Sequence, residues 1–147
     1  MSIDIDKILL EFEALPQYDT QISLQTIEGC DDYNYGTGKL LAPTKEKDFV
    51  FPLFDMPYTN SIMKRLGMFR TRVMRMYSNT CYSYHKDPTM RIHIPLITND
   101  KCFMVIDDEV IRHPADGNYY IVDTTKMHTA INGSPEERIH IIGCISN

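Results

Sequence analysis

Residues 69–98 read FRTRVMRMYSNTCYSYHKDPTMRIHIPLIT. Runs of β-branched, aromatic and other apolar residues are broken by Ser, Asn, Asp and Pro, the pattern of short strands joined by turns. It continues through CFMVID (102–107), EVIRHP (109–114), NYYIVDT (118–124), HTAIN (128–132) and RIHIIGCI (138–145). With TCYSYH (80–85) set apart from the run before it and MRIHIPLIT (90–98) after it, this makes about eight short strands. No helix of useful length separates them. Parallel βαβ units are therefore excluded, and an antiparallel sandwich or barrel is expected. The DDE at 107–109 predicts a tight hairpin.

The first part of the chain has a different character. Ile5, Ile8, Leu9 and Phe12 recur at helical spacing, with Asp4 or Asp6 as cap and Pro16 beyond. TQISLQTIEG (20–29) alternates as a strand, and residues 31–48 are rich in turn formers and charges and read as a loop. MPYTNSIMKRLG (56–67) predicts a second helix, capped by Thr59 or Asn60 and stopped by Gly67. The expectation is one mainly β domain over residues 1–147. One or two N-terminal helices in residues 1–66 would support a strand core over 67–147.

The 147 residues carry a net charge of −5, which does not favour nucleic acid or an anionic membrane as partner. The acidic start lacks the features of a signal peptide, and no window approaches a membrane span. Cys30, Cys81, Cys102 and Cys144 lack CxxC spacing, which points to a reducing, cytoplasmic location, with three of them as small core residues. Lys64, Arg65, Arg70, Arg72 and Arg75 form a local basic cluster. It reads either as a solvated face or as a basic wall beside a pocket for an anionic group.

The chemistry concentrates in HKD at 85–87. His85 and Asp87 are two residues apart, so on an extended segment both point to one face and can reach one metal ion. His128 lies on a later strand, and Arg138 follows ten residues beyond it. Two histidines and one carboxylate form the facial triad that holds Fe(II) and leaves three positions open for a bidentate 2-oxo acid and O2. The planar fork of an arginine suits the far carboxylate of that acid. Arg91 and His93 share a strand face by the period-2 rule.

The ordered set resembles the aspartyl/asparaginyl β-hydroxylase-like branch of the Fe(II)/2-oxoglutarate-dependent dioxygenases, which includes prokaryotic proline hydroxylases. The matching stretches are RVMRMYSNTCYSYHKDPTMRIHIPLIT and GNYYIVDTTKMHTAINGSPEERIHII. Within them stand His85, Arg91-x-His93 with Leu96, Asp123, His128, Asn132, and Arg138 with Ile139 and Ile141. The resemblance implies a double-stranded β-helix of jelly-roll, cupin-like form. It also implies iron bound by His85 and His128, and 2-oxoglutarate as co-substrate held by Arg138 with Arg91 and His93. The animal members have glycine where this chain has Asp87, so the full triad here follows the wider superfamily.

The expected activity is hydroxylation of an amino-acid, peptide or protein side chain, with release of succinate and CO2. Arg72, Tyr82, Tyr84 and Asn132 are candidates for the substrate side; simple strand packing is the other reading of the tyrosines. His140 reads as structural or as a neighbour of the co-substrate, and His113 as exposed. Two rivals remain: another use of metal in the same barrel, and a non-catalytic cupin-like binding module. Arg138 and the R-x-H pair argue against the first, since such a site has no need for a dicarboxylate clamp.

Overall fold

The computed structural model describes residues 1–147. Its N-terminal part holds helix α1 (Ile5–Phe12), strands β1 (Gln21–Ser23), β2 (Gln25–Thr26) and β3 (Phe51–Pro52), and helix α2 (Pro57–Arg65). The strands that follow are β4 (Phe69–Met76), β5 (Thr80–Cys81), β6 (Met90–Ile97) and β7 (Cys102–Ile106). The last four are β8 (Glu109–Ile111), β9 (Tyr120–Val122), β10 (His128–Asn132) and β11 (Arg138–Ile145). Every apolar run of residues 69–145 thus carries its strand. Between β7 and β8, Asp107 and Asp108 both take positive φ (50° and 69°), as a two-residue hairpin requires.

The strands form a five-stranded sheet, β1-β4-β11-β6-β9, and a four-stranded sheet, β5-β10-β7-β8, while β2 pairs only with β3. All pairings are antiparallel. From β4 to β11 the chain passes back and forth between the two larger sheets, which is the winding of a jelly roll, or double-stranded β-helix.

Alternation gives the five-stranded sheet two unlike faces. Val73, Ile92, Ile94, Leu96, Ile139 and Ile141 point outward and pack with Ile8, Ile62 and Met63 of the helices and with Ile22 and Leu24. The inward residues are Arg72, Arg91, His93, Arg138 and His140, all buried. Met76, Met104, Ile106, Val122 and Ala130 close the space between the sheets around them.

The helix ends differ in part from expectation. Asp4 caps α1 by accepting from Lys7 N at 3.1 Å. The cap position of α2 is Met56 rather than Thr59 or Asn60, and Pro57 is its first residue, where a missing N–H costs nothing. The cap is supplied by another helix. Glu11 accepts from Tyr58 N at 2.9 Å, Thr59 N at 2.8 Å and Thr59 Oγ1 at 2.7 Å. Gly67 ends α2 as expected, with φ at 63°; Gly67 N donates to Lys64 O and Met68 N to Met63 O, a Schellman closure. Only Cys102 and Cys144 are buried, so two cysteines rather than three serve the core. No helix is long and apolar enough to cross a membrane.

Burial works against ionised Glu11, but its bonds from Thr59 and Tyr58 outweigh it and lower its pKa. A lowered carboxyl pKa gives stability that is present above the unfolded value and lost as pH falls through the folded one. Glu11→Gln is therefore expected to destabilise by about 0.5 kcal/mol at pH 7. The gap to the wild type should close below about pH 4 in denaturant titrations.

Candidate metal centre

His128 opens β10, and His85 lies four residues beyond the end of β5. Their backbones exchange two hydrogen bonds, His85 N to His128 O at 3.0 Å and His128 N to His85 O at 2.9 Å. That pairing sets the imidazoles side by side, with ring centroids 4.4 Å apart. Asp87 N donates to Thr124 O at 2.8 Å, which holds the segment extended and returns the Asp87 side chain to the face of His85. Asp87 Oδ1 lies 3.6 Å from His85 Nε2, and Oδ2 lies 3.3 Å from His128 Nε2. The three ligand atoms are all within 4.8 Å of one another.

Each imidazole is held by its other nitrogen. His85 Nδ1 donates to Ser83 O at 2.6 Å, and His128 Nδ1 donates to Lys126 O at 2.9 Å. A carbonyl can only accept, so Nδ1 keeps its proton in both rings and Nε2, turned to the cluster, is the atom that an ion can take once it is deprotonated. Burial opposes ionisation of Asp87, yet the His128 bond and the charge of Arg91 hold its carboxyl below the usual range. Burial likewise opposes charge on His128, but its bond to Asp87 raises its pKa.

The cluster opens on a cavity of about 340 Å³ whose wall includes Arg70, Arg72, Arg91, His93, Tyr82 and Arg138. Arg91 sits 3.5 Å from Asp87, but its main partner is Glu46, at 2.9 Å. Glu46 also pairs with Arg70 at 2.7 Å and accepts from Thr89 Oγ1 at 2.9 Å. Burial raises the Glu46 pKa, and Arg91 and Arg70 more than reverse it. Arg70, at φ 47°, stands at a bulge between β4 and β11 that re-aims its side chain toward the 36–46 loop, where Nε donates to Gly36 O at 3.0 Å.

Arg138 has no such partner. It is 2% exposed, and its Nε and Nη2 bond to nothing in the protein. Burial pulls its pKa down. His93 and His140 are also buried, with their Nδ1 atoms 3.1 Å apart. Burial, and then the charge of Arg138, keeps both well below the usual histidine range, so they form a neutral donor–acceptor pair.

The expected residues thus separate. His85, Asp87, His128, Arg91, His93 and Arg138 meet at one cavity, with Arg72 and Tyr82 on its wall. Tyr84 and Asn132 do not line it. Tyr84 is 45% exposed. Asn132 is fully buried and ties strands together, donating to Met76 O at 3.0 Å and Glu136 O at 2.8 Å. His113 is half-buried rather than exposed and stacks on His93 at 5.9 Å. The basic cluster also divides: Lys64 and Arg65 are exposed, Arg75 pairs with Glu137, and only Arg70 and Arg72 reach the cavity. Glu46 and Gln21, the latter accepting from Arg72 at 3.1 Å, carried no sequence signal. Their roles arise only when a loop and an edge strand close over the barrel.

A jelly roll enclosing a His-Asp-His cluster defines a β-barrel protein whose three donor groups could together hold a metal ion. More particularly, the chain belongs to the aspartyl/asparaginyl beta-hydroxylase family, which it matches over residues 4–146. Similar solved structures include a protein from Photorhabdus luminescens at 18% identity and TM-score 0.43, covering 50% of this chain and 58% of that one. A cupin domain from Bordetella pertussis is 15% identical with TM-score 0.45, covering 52% and 80%. A predicted oxalate decarboxylase from Thermotoga maritima is 14% identical with TM-score 0.46, covering 59% and 73%. The chain spans little more than half of the first of these proteins.

His128→Ala should lower Co(II) affinity by at least about 100-fold in an absorbance titration, since even supporting residues of a metal site cost 10–100-fold. Asn132→Ala should leave that affinity unchanged and lower Tm instead. Because the His128 pKa is raised, an entering ion displaces a proton. Affinity should rise with pH through the neutral range and level off once His128 is neutral in the apo-protein.

Proposed function

We propose that the protein is an Fe(II)- and 2-oxoglutarate-dependent oxygenase that hydroxylates an amino-acid or peptidyl side chain, consuming O2 and releasing succinate and CO2. One observation carries the reading: the buried Arg138 guanidinium, with two unpartnered nitrogens, shares a cavity with the His-Asp-His cluster. A buried cation without an anion is costly, and a forked donor set is matched by a ligand carboxylate. A barrel that bound only a metal would leave Arg138 without a purpose.

The donor set fits the ion. Two imidazole nitrogens and one carboxylate oxygen suit Fe(II) with open positions, and no thiol lines the cavity to favour zinc. In this reading His85, Asp87 and His128 hold the iron. Arg138 pairs with the far carboxylate of 2-oxoglutarate, while Arg91 and His93 face the same co-substrate. When bound, the iron supplies the activation of dioxygen and the oxidative decarboxylation of the 2-oxo acid. The protein's residues orient and shield. The Ser83 and Lys126 carbonyls hold the ligand imidazoles, and Met104, Ala130 and Ile142 give the cavity dry walls. Glu46 engages Arg70 and Arg91 by ion pairs, whereas Arg138 has none and keeps its fork for the co-substrate.

Anaerobic addition of Fe(II) and 2-oxoglutarate should produce the weak visible charge-transfer band of a chelated 2-oxo acid. No band in the native protein, or an unchanged band in His128→Ala, would sink the reading. Arg138→Ala should weaken 2-oxoglutarate binding by about 100-fold with iron binding largely kept, as expected for loss of charged hydrogen bonds.

A further inference from the structure

Four guanidiniums, those of Arg70, Arg72, Arg91 and Arg138, reach the cavity wall. Glu46 serves Arg70 and Arg91 together, and Arg91 also meets Asp87. Arg72 and Arg138 make no ion pair. Arg138 is assigned above to 2-oxoglutarate, which leaves Arg72. It is 7% exposed, its Nε is buried with no partner, and its one hydrogen bond is Nη1 to Gln21 Oε1. Gln21 Oε1 also accepts from Gly38 N at 3.3 Å, so the edge strand and the 36–46 loop together set the direction of Arg72. Burial, and then the charge of Arg70, pulls the Arg72 pKa down to about 10. It remains charged at neutral pH, a cation without a counter-ion.

Arg72 and Arg138 are separate positions. Arg72 is paired with Ile142 and lies in one row across the sheet with His93, while Arg138 is paired with Met76. Four residues along the strands separate the two rows, roughly 13 Å of backbone. Both guanidiniums line the cavity that also holds His85, Asp87 and His128, so an anion at Arg72 and one at Arg138 would share the space beside that cluster. At about 340 Å³ the cavity is at the small end for ligand sites. Shared with a co-substrate, it has room for a molecule of amino-acid size.

We infer that Arg72 is a second anion position, that it binds the carboxylate of the substrate, and that the substrate is a small free carboxylic acid. The inference rests on the oxygenase reading, because it takes Arg138 as engaged by 2-oxoglutarate. Gln21 acts as a positioning residue for Arg72.

The test uses the full chain with Fe(II) and 2-oxoglutarate under anaerobic conditions. The twenty free L-amino acids and their carboxamides are added in turn, and displacement of the charge-transfer band is followed. At least one acid should shift the band, and its carboxamide should not. Arg72→Gln should weaken that acid by about 30-fold, as for loss of a charged hydrogen bond, with 2-oxoglutarate affinity kept and partial recovery in Arg72→Lys. The apo-protein Tm of Arg72→Gln should equal or exceed that of the wild type, because an uncompensated buried cation is removed. No active acid, an equally active carboxamide, unchanged acid affinity in Arg72→Gln, lost 2-oxoglutarate binding or a lowered Tm would each overturn the assignment. Absence of the band in the wild type before any acid is added would instead overturn the oxygenase reading itself.

Discussion

One carboxylate, Glu46, holds two guanidiniums inside the barrel. Its bonds to Arg70 and Arg91 cross from the N-terminal loop to β4 and β6, and Thr89 Oγ1 and Cys144 Sγ complete its surroundings. Breaking such a buried arrangement by removing the anion leaves uncompensated cations, which is far more costly than losing a surface pair. The consequence reaches the metal cluster. Arg91 stands between Glu46 and Asp87, so the alternation of charge from Arg70 to Glu46 to Arg91 to Asp87 fixes where the Asp87 carboxylate sits. The N-terminal segment is therefore part of the cavity and not only a cover for the outer face.

That chain of charges is possible because the five-stranded sheet is apolar on one side and polar on the other. The period of two places Ile92, Ile94, Ile139 and Ile141 under the helices and Arg91, His93, Arg138 and His140 in the interior. A register slip of one residue would exchange the two sets, burying arginines against α1 and α2 and facing the cavity with isoleucine. Packing against the helices thus specifies the orientation of the site. The helices are tied to each other by Glu11, which caps α2 from α1.

Much of this was legible in the sequence, and the parts that were legible are the local ones. Strand runs, the Asp107–Asp108 turn and Gly67 as helix stop follow from neighbours in sequence. The His85–Asp87 spacing placed the two side chains on one face for the same reason. His128 and Arg138 needed the ordered pattern as well, because their meeting depends on two strands from different sheets. Glu46 and Gln21 had no such pattern; a charged residue between lysines in a loop looks solvated until tertiary structure buries it. Asn132 erred in the opposite direction. Its place near His128 in sequence suggested a contact with substrate, but alternation and the turn after β10 send its amide to Met76 and Glu136.

The interior and the exterior of the protein carry opposite charge. The chain has a net charge of −5, yet at the cavity four guanidiniums face only the two carboxylates of Glu46 and Asp87. The two neutral histidines, His93 on the wall and His140 paired with it, add hydrogen bonds without adding charge, since burial and Arg138 suppress their protonation. A divalent ion at His85, Asp87 and His128 would increase the positive excess further. Low-dielectric walls strengthen such fields, so the interior favours ligands that bring negative charge and can shed their water. An anionic ligand would supply the charge that the inward face of this barrel lacks.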